Sequence, residues 1–164
     1  MRAVSNTSPL LNLAIIDRLD LLRRQFGGID IPPAVLEELQ VDADRPGSAR
    51  LREALADGWI VVIADVNVPL AQALKGDLDA GEAEALALAA ASGHTHVLMD
   101  EREGRSVARA MGLTPVGVVG VLLRAHQLGD VQHVAPLLER LRSEAGFFLS
   151  DDLVGRILAT VGEA

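Results

Sequence analysis

Cysteine and tyrosine are both absent from this chain. Without a thiol there is no disulfide framework and no thiolate metal site. Aromatic residues make up only 2% of the sequence, with one Trp and three Phe. That scarcity counts against a nucleic-acid binder that stacks bases on a broad aromatic platform. Lysine occurs once, at Lys75, and the formal charge is −8. A general electrostatic grip on phosphates is not expected, because it draws on clustered Lys and Arg. Basic residues that serve such a role must form a local patch. No apolar run reaches the length of about 18 residues that a membrane span needs. Asn12, Asp17 and Arg18 interrupt the N-terminal run too early for a signal peptide. The expectation is a cytoplasmic protein with no membrane partner.

What the sequence does contain is aliphatic. Hydrophobic residues reach 49% over 164 residues, enough for a real core and read as a single domain over 1–164. Short Val- and Ile-rich runs alternate with segments of helical period. Strands are expected at Ala3–Ser5, Ile29–Ile31, Trp59–Ile63, His96–Met99 and Thr114–Val116. Helices are expected at Pro9–Ile16, Leu19–Gln25, Pro33–Gln40, Ser48–Asp57, Asp79–Ser92, Glu103–Met111, Val118–Leu128, Val134–Glu144 and Asp151–Val161. Alternation of this kind predicts an α/β fold with a parallel sheet covered on both faces. The segment VDADRPG (Val41–Gly47) is expected to be the most flexible.

Sites in open α/β sheets form beyond the carboxyl ends of the strands. Asn6 follows the first expected strand, Glu38 lies in the helix after the second, and Asp100 follows the fourth. Glu82 sits in the first turn of the most Ala- and Leu-rich helix. Three carboxylates and an amide oxygen are hard ligands, suited to Mg²⁺ or Mn²⁺. Such an ion can bind a phosphate oxygen and activate water. Plainer roles compete. Asp79 with Glu82, and Asp100 with Glu103, both fit a capping box. Ser8 before Pro9 fits an N-cap followed by Pro at the first helical position. One of Glu37 and Glu38 is expected to face solvent. His94, His96, His126 and His133 match no metal motif. Arg102, Arg105 and Arg109 share a helix face. Arg102 and Arg105 lie in the first turn, where cations oppose the helix dipole. That placement points to a phosphate-holding task, whereas a solvated face is the plainer reading for Arg109.

VSNTSPLLNLAIIDRLDLL, IPPAVLEEL, LDAGEAEALALA, VLMDEREGRSVARAMGL and VGVVGVLLRAHQLG together resemble the PIN-domain ribonucleases. The similarity is to a PIN-like subgroup related to VapC-type toxins. It implies a three-layer α/β/α PIN-like fold with a mostly parallel central sheet. It also implies Mg²⁺- or Mn²⁺-dependent hydrolysis of RNA phosphodiester bonds, homodimers, and a small antitoxin protein as partner. The family's four acidic positions fall on Asn6, Glu38, Glu82 and Asp100, with Glu101 as the substitute for the fourth. Glu38, Glu82 and Asp100 would be the catalytic carboxylates. Active PIN nucleases usually carry Asp at the first position, and this chain has Asn6. The subgroup tends to have Gly-Thr where this chain has Gly117-Val118.

Two functions follow from this reading. One is a divalent-metal ribonuclease, the toxin of a toxin–antitoxin pair, with Arg102 and Arg105 on the substrate. The other is a non-catalytic PIN-fold module that binds nucleic acid or an antitoxin, a reading favoured by Asn6. A phosphate-accepting receiver domain is disfavoured, because it expects an acidic pair near the first strand and a late Lys.

Overall fold

The computed structural model describes residues 2–164. Five short strands form one sheet: β1 (Ala3–Ser5), β2 (Ile29–Ile31), β3 (Ile60–Val62), β4 (His96–Leu98) and β5 (Thr114–Val116). Their order is β3-β2-β1-β4-β5, and every pairing is parallel. The helices are α1 (Thr7–Ile15), α2 (Asp20–Phe26), α3 (Pro33–Leu39), α4 (Ser48–Asp57), α5 (Val68–Leu74), α6 (Ala80–Ser92), α7 (Arg102–Ala110), α8 (Val118–Gln127), α9 (Ala135–Ser143) and α10 (Asp151–Thr160). The result is the expected three-layer α/β/α arrangement.

Strand alternation explains the layers. Successive side chains of a strand point to opposite faces. Ala3 joins a large core built with Leu10, Leu13, Leu22, Leu51, Val121 and Leu138. Its neighbour Val4 joins a second core with Leu86, Ala108, Val97 and Met99 on the other face. Helix α6 is apolar nearly all round, with Ala83, Ala85, Leu86, Leu88 and Ala89 buried. It sits between the sheet and both α3 and α5. That burial needs small side chains, which is why this helix is rich in Ala.

The chain runs from the central β1 outward through β2 and β3. It then returns to the other side of β1 for β4 and β5. The order reverses between β1 and β4, the place where open α/β sheets open a crevice. A backbone bond locks this point, Asn6 N–H donating to Leu98 O at 2.9 Å, while Met99 N–H extends the β4–β5 ladder by donating to Val116 O at 2.9 Å.

Several local expectations are corrected. Helix α1 begins at Thr7 with Asn6 at the N-cap, so Ser8 is not a cap. Pro9 still fits, because the first turn of a helix has no use for its missing N–H. Asp100 and Glu103 form no capping box, since Glu101 occupies the N-cap of α7 without a side-chain bond. Within the segment expected to be most flexible, Val41–Ala43 forms a 3₁₀ turn, and its Val41 carbonyl accepts from Arg52. Helix α5 was not expected. Asn67 caps it, accepting from Leu70 N–H at 3.1 Å. Only Ala71 of this helix is buried, so its apolar period is weak. No helix among the described residues is long and apolar enough to cross a membrane.

Candidate functional site

Four elements deliver oxygen-bearing side chains to the crevice beyond β1 and β4. Asn6 arrives where β1 becomes α1, and its side chain is only 3% exposed. Its Oδ1 is buried with no hydrogen-bond partner. A buried carbonyl oxygen without a donor is costly, by about 1–3 kcal/mol. It is therefore an opening for a ligand.

Glu38 comes from the last turn of α3. Its Oε2 accepts from the Thr7 hydroxyl at 2.7 Å, which ties α3 to the start of α1. Its carboxylate lies over Gly81, the second residue of α6. A Cβ built on Gly81 would stand 2.6 Å and 2.9 Å from the two Glu38 oxygens. The absence of a side chain at 81 is what admits Glu38. Both Glu37 and Glu38 are solvent-accessible, but only Glu38 of the two lines the crevice.

Glu82 is buried at 6% exposure. It closes the expected capping box: Glu82 N–H donates to Asp79 Oδ1 at 2.8 Å, and Asp79 N–H donates to Glu82 Oε2 at 3.1 Å. The box uses one carboxylate oxygen, so capping leaves the other oxygen free of that bond. Burial pushes the Glu82 pKa above the ordinary value. The Asp79 N–H opposes this, and the nearby Asp79, Glu101 and Glu103 carboxylates add to it.

Asp100 follows β4. Its Oδ1 accepts from Val118 N–H at 2.8 Å, so it holds the N-terminus of α8. Gly117 permits this approach, because a Cβ there would come within 2.8 Å of Oδ1. Its Oδ2 is the second buried oxygen without a partner. The Ser8 hydroxyl faces the same carboxylate without reaching Oδ2. Burial raises the Asp100 pKa; the Val118 N–H, the Arg105 guanidinium and Ser8 hold it down, and Glu101 raises it further.

Asn6, Glu38, Glu82 and Glu101 line one cavity of about 350 Å³, together with Thr7, Asp79 and Asn12. Asp100 lines the adjoining depression, which shares Ser8, Asn12 and Glu101 with the first. Among the described residues no three His, Asp or Glu side chains close around an ion by themselves. A hard ion that keeps several waters does not require such a cage, since one or two carboxylates with waters and a substrate phosphate suffice. The donor set is all oxygen, and two of its members, Asn6 Oδ1 and Asp100 Oδ2, are buried without a donor. These residues fit a Mg²⁺ or Mn²⁺ ion.

The arginines divide. Arg105 is half-buried and donates from Nη1 to Met99 O at 2.9 Å, so it supports the β4–α7 turn as well as the charge of Asp100. Arg102 is exposed. It forms no ion pair with Glu101 or Glu103, and Arg109 likewise extends into solvent. His94 instead meets buried Asp30 at 2.9 Å, where Arg2 also pairs with that carboxylate at 2.6 Å. That contact gives His94 a structural role. Another depression, of about 430 Å³, lies between Asp17, Arg50, Glu53 and Trp59. Three of its charges pair with one another, Arg50 to Asp17 at 2.7 Å and to Glu53 at 3.1 Å.

Two groups at the crevice escaped the sequence reading. Thr7 orients Glu38, which spacing alone does not reveal. Phe147 and Phe148 border the depressions that contain Asp100, although they lie far from it in sequence.

Residues 2–163 match the model of the DUF3368 family, described as a PIN domain. No curated protein and no solved structure matches the chain.

Proposed function

The chain belongs to the DUF3368 family of PIN domains, and from that premise we propose that it is a divalent-metal-dependent nuclease that hydrolyses RNA phosphodiester bonds. The observation that carries this reading is the pair of buried, partnerless oxygens, Asn6 Oδ1 and Asp100 Oδ2. They lie at the sheet's reversal point beside Glu38, Glu82 and Glu101. Mg²⁺ or Mn²⁺ bound there would supply Lewis-acid stabilisation of the phosphate and a more acidic water.

The chain's own residues have separable tasks. Asn6, Glu38, Glu82 and Asp100 would hold the ion. Glu101, on the wall common to both depressions, is the alternative to Asp100. Thr7 and Gly81 fix the position of Glu38. Arg102 offers an exposed cation to an adjacent phosphate, and Arg105 holds the turn that presents Asp100. A toxin–antitoxin setting, with a small antitoxin protein as partner and a homodimer as the working unit, is what the resemblance to VapC-related proteins supports.

A second reading has its own support. Asn6 brings no formal charge, and ligand charge count governs affinity in oxygen sites. A non-catalytic binding module would keep the fold and lose the cleavage. The deciding experiment incubates the protein with mixed single-stranded RNA in Mn²⁺ and in EDTA, beside thermal melting under the same conditions. A nuclease gives cleavage in Mn²⁺ alone and a higher melting temperature with the ion. Stabilisation without cleavage establishes the binding module. Neither response removes the metal site altogether.

A further inference from the structure

The one exposed aromatic residue of this chain, Phe148, stands beside the candidate centre. Trp59 and Phe26 are buried, whereas Phe148 is 88% exposed. Phe148 borders the depression shared by Asp100, Glu101 and Ser8. It also borders a groove of about 500 Å³ whose wall runs from Asp100 and Arg105 to Val119 and Leu153. The acidic crevice thus continues, without a break in lining residues, into an apolar trough edged by a phenyl ring.

The backbone on each side of that ring is pinned. Phe147 N–H donates to Leu141 O at 2.9 Å. Leu149 O accepts from Arg142 Nε at 3.0 Å and from Nη2 at 2.7 Å. The ends of the segment are set by Gly146, at φ +65°, and by Ser150, which caps α10. The segment 147–149 is therefore held at both ends while the ring between them faces water. An exposed large apolar ring on a fixed backbone has no packing role in the chain itself. It is a preorganised contact surface.

We infer that Phe148 stacks on an unpaired nucleobase next to the phosphate held at the candidate centre. The inference rests on the nuclease reading above. Bases present a π-face whatever their identity, so one aromatic ring serves a range of sequences. A paired base in a duplex has both faces covered and gains nothing from the ring. Arg105 lines the same groove wall, its guanidinium engaged with Met99 O and the charge of Asp100. The low aromatic content argued against a broad stacking platform; the structure calls for one ring at one place.

The test measures binding without cleavage, by fluorescence anisotropy in EDTA and in Ca²⁺. The probes are a labelled mixed-sequence RNA strand of about 12 nucleotides, the same strand with abasic positions, and its duplex. Phe148→Ala should weaken single-strand binding roughly 5- to 100-fold, and Phe148→Trp should restore it. Duplex binding should be the same for all three proteins. Abasic substitution at the contacted position should weaken the parent and leave Phe148→Ala unaffected. Melting temperatures should not change, because the ring is exposed. Equal single-strand affinity for Phe148→Ala and the parent overturns the base contact. If the parent still cleaves RNA in Mn²⁺, the nuclease reading survives that result. If the parent neither binds nor cleaves any strand, both readings fall. Unchanged RNA affinity with a lower oligomeric state in Phe148→Ala also overturns the inference, and assigns the ring to a second copy of the chain.

Discussion

Asn6 concentrates the chemical question of this protein in one atom. Its Oδ1 is buried and partnerless, at a position where active PIN nucleases usually carry a carboxylate. Asn6→Asp changes charge with almost no change of shape. In the metal-free protein the new carboxylate has no donor and sits among Glu38, Glu82 and Asp100. Burial and like charge both penalise its ionised form. The expected cost at neutral pH is about 1–3 kcal/mol, or a melting temperature lower by roughly 2–12 °C. Mn²⁺ should return more stability to this variant than to the parent, and divalent-dependent RNA cleavage should rise. Calorimetric melts in EDTA and in Mn²⁺ read the first two effects. Identical responses of variant and parent would place residue 6 outside any metal site.

At the scale of the element, the first turn of α6 joins two jobs. Asp79 and Glu82 satisfy its unpaired N–H groups, while Gly81 leaves room for the Glu38 carboxylate arriving from α3. Gly81→Ala separates these jobs. Ala is a better helix former than Gly by up to about 1 kcal/mol, and Glu38 is exposed enough to swing aside. The melting temperature should therefore stay within about 3 °C of the parent. The displaced carboxylate would lose both its Thr7 bond and its place in the crevice. Mn²⁺ affinity should fall roughly 10- to 100-fold, the usual effect of disturbing a ligand's support. Titration by calorimetry tests this; an unaltered affinity would remove Glu38 from the ligand set. The N-terminus of α8 has a similar arrangement, with Gly117 admitting Asp100 to the Val118 N–H. At both helix starts a missing side chain makes space for a carboxylate from another element.

For the molecule as a whole, the crevice makes stability depend on pH in a defined direction. Glu82 and Asp100 both have pKa values raised by burial. The folded chain therefore holds more protons than the unfolded chain between the ordinary carboxylate value, about 4, and the raised values. In that window stability falls as pH rises, and the full cost remains above it. Glu144 and Glu163 shift the opposite way. The Arg140 side chain lowers the pKa of Glu144, and the Val134 and Ala135 N–H groups lower that of Glu163. Their support is present above the ordinary value and is lost as pH falls through their lowered values. The first pair acts mainly above the ordinary carboxylate range and the second pair mainly below it. Melting in EDTA should accordingly be highest in mildly acidic buffer and decline toward neutrality. Mn²⁺ should offset the decline at neutral pH, where the ligands are ionised. Glu82→Gln keeps an acceptor for the Asp79 N–H and should flatten the EDTA profile. A flat profile in the parent would mean that these carboxylates are solvated.

The alternation of Val- and Ile-rich runs with helical periods determined the five strands, most of the helices and the parallel sheet, because side-chain period and turn residues are local properties. It also determined that Asn6 and Asp100 follow strands and that Asp79 and Glu82 cap a helix. What joins them depends on strand order. Residues 6 and 100 become neighbours only because β4 returns to the side of β1. Helix α5 stayed hidden because it is short and fully buries only Ala71, so no apolar stripe marks it in the sequence. The Asp100 capping box failed because a carboxylate with two helix starts in reach bonded to that of α8 rather than α7. Glu38 rather than Glu37 faces the crevice through its Thr7 bond and the open space over Gly81, neither of which spacing encodes. Phe148 reaches the rim because its segment is pinned to Leu141 and Arg142. Composition measures how many aromatic rings a chain has, and only tertiary contacts decide where an exposed one stands.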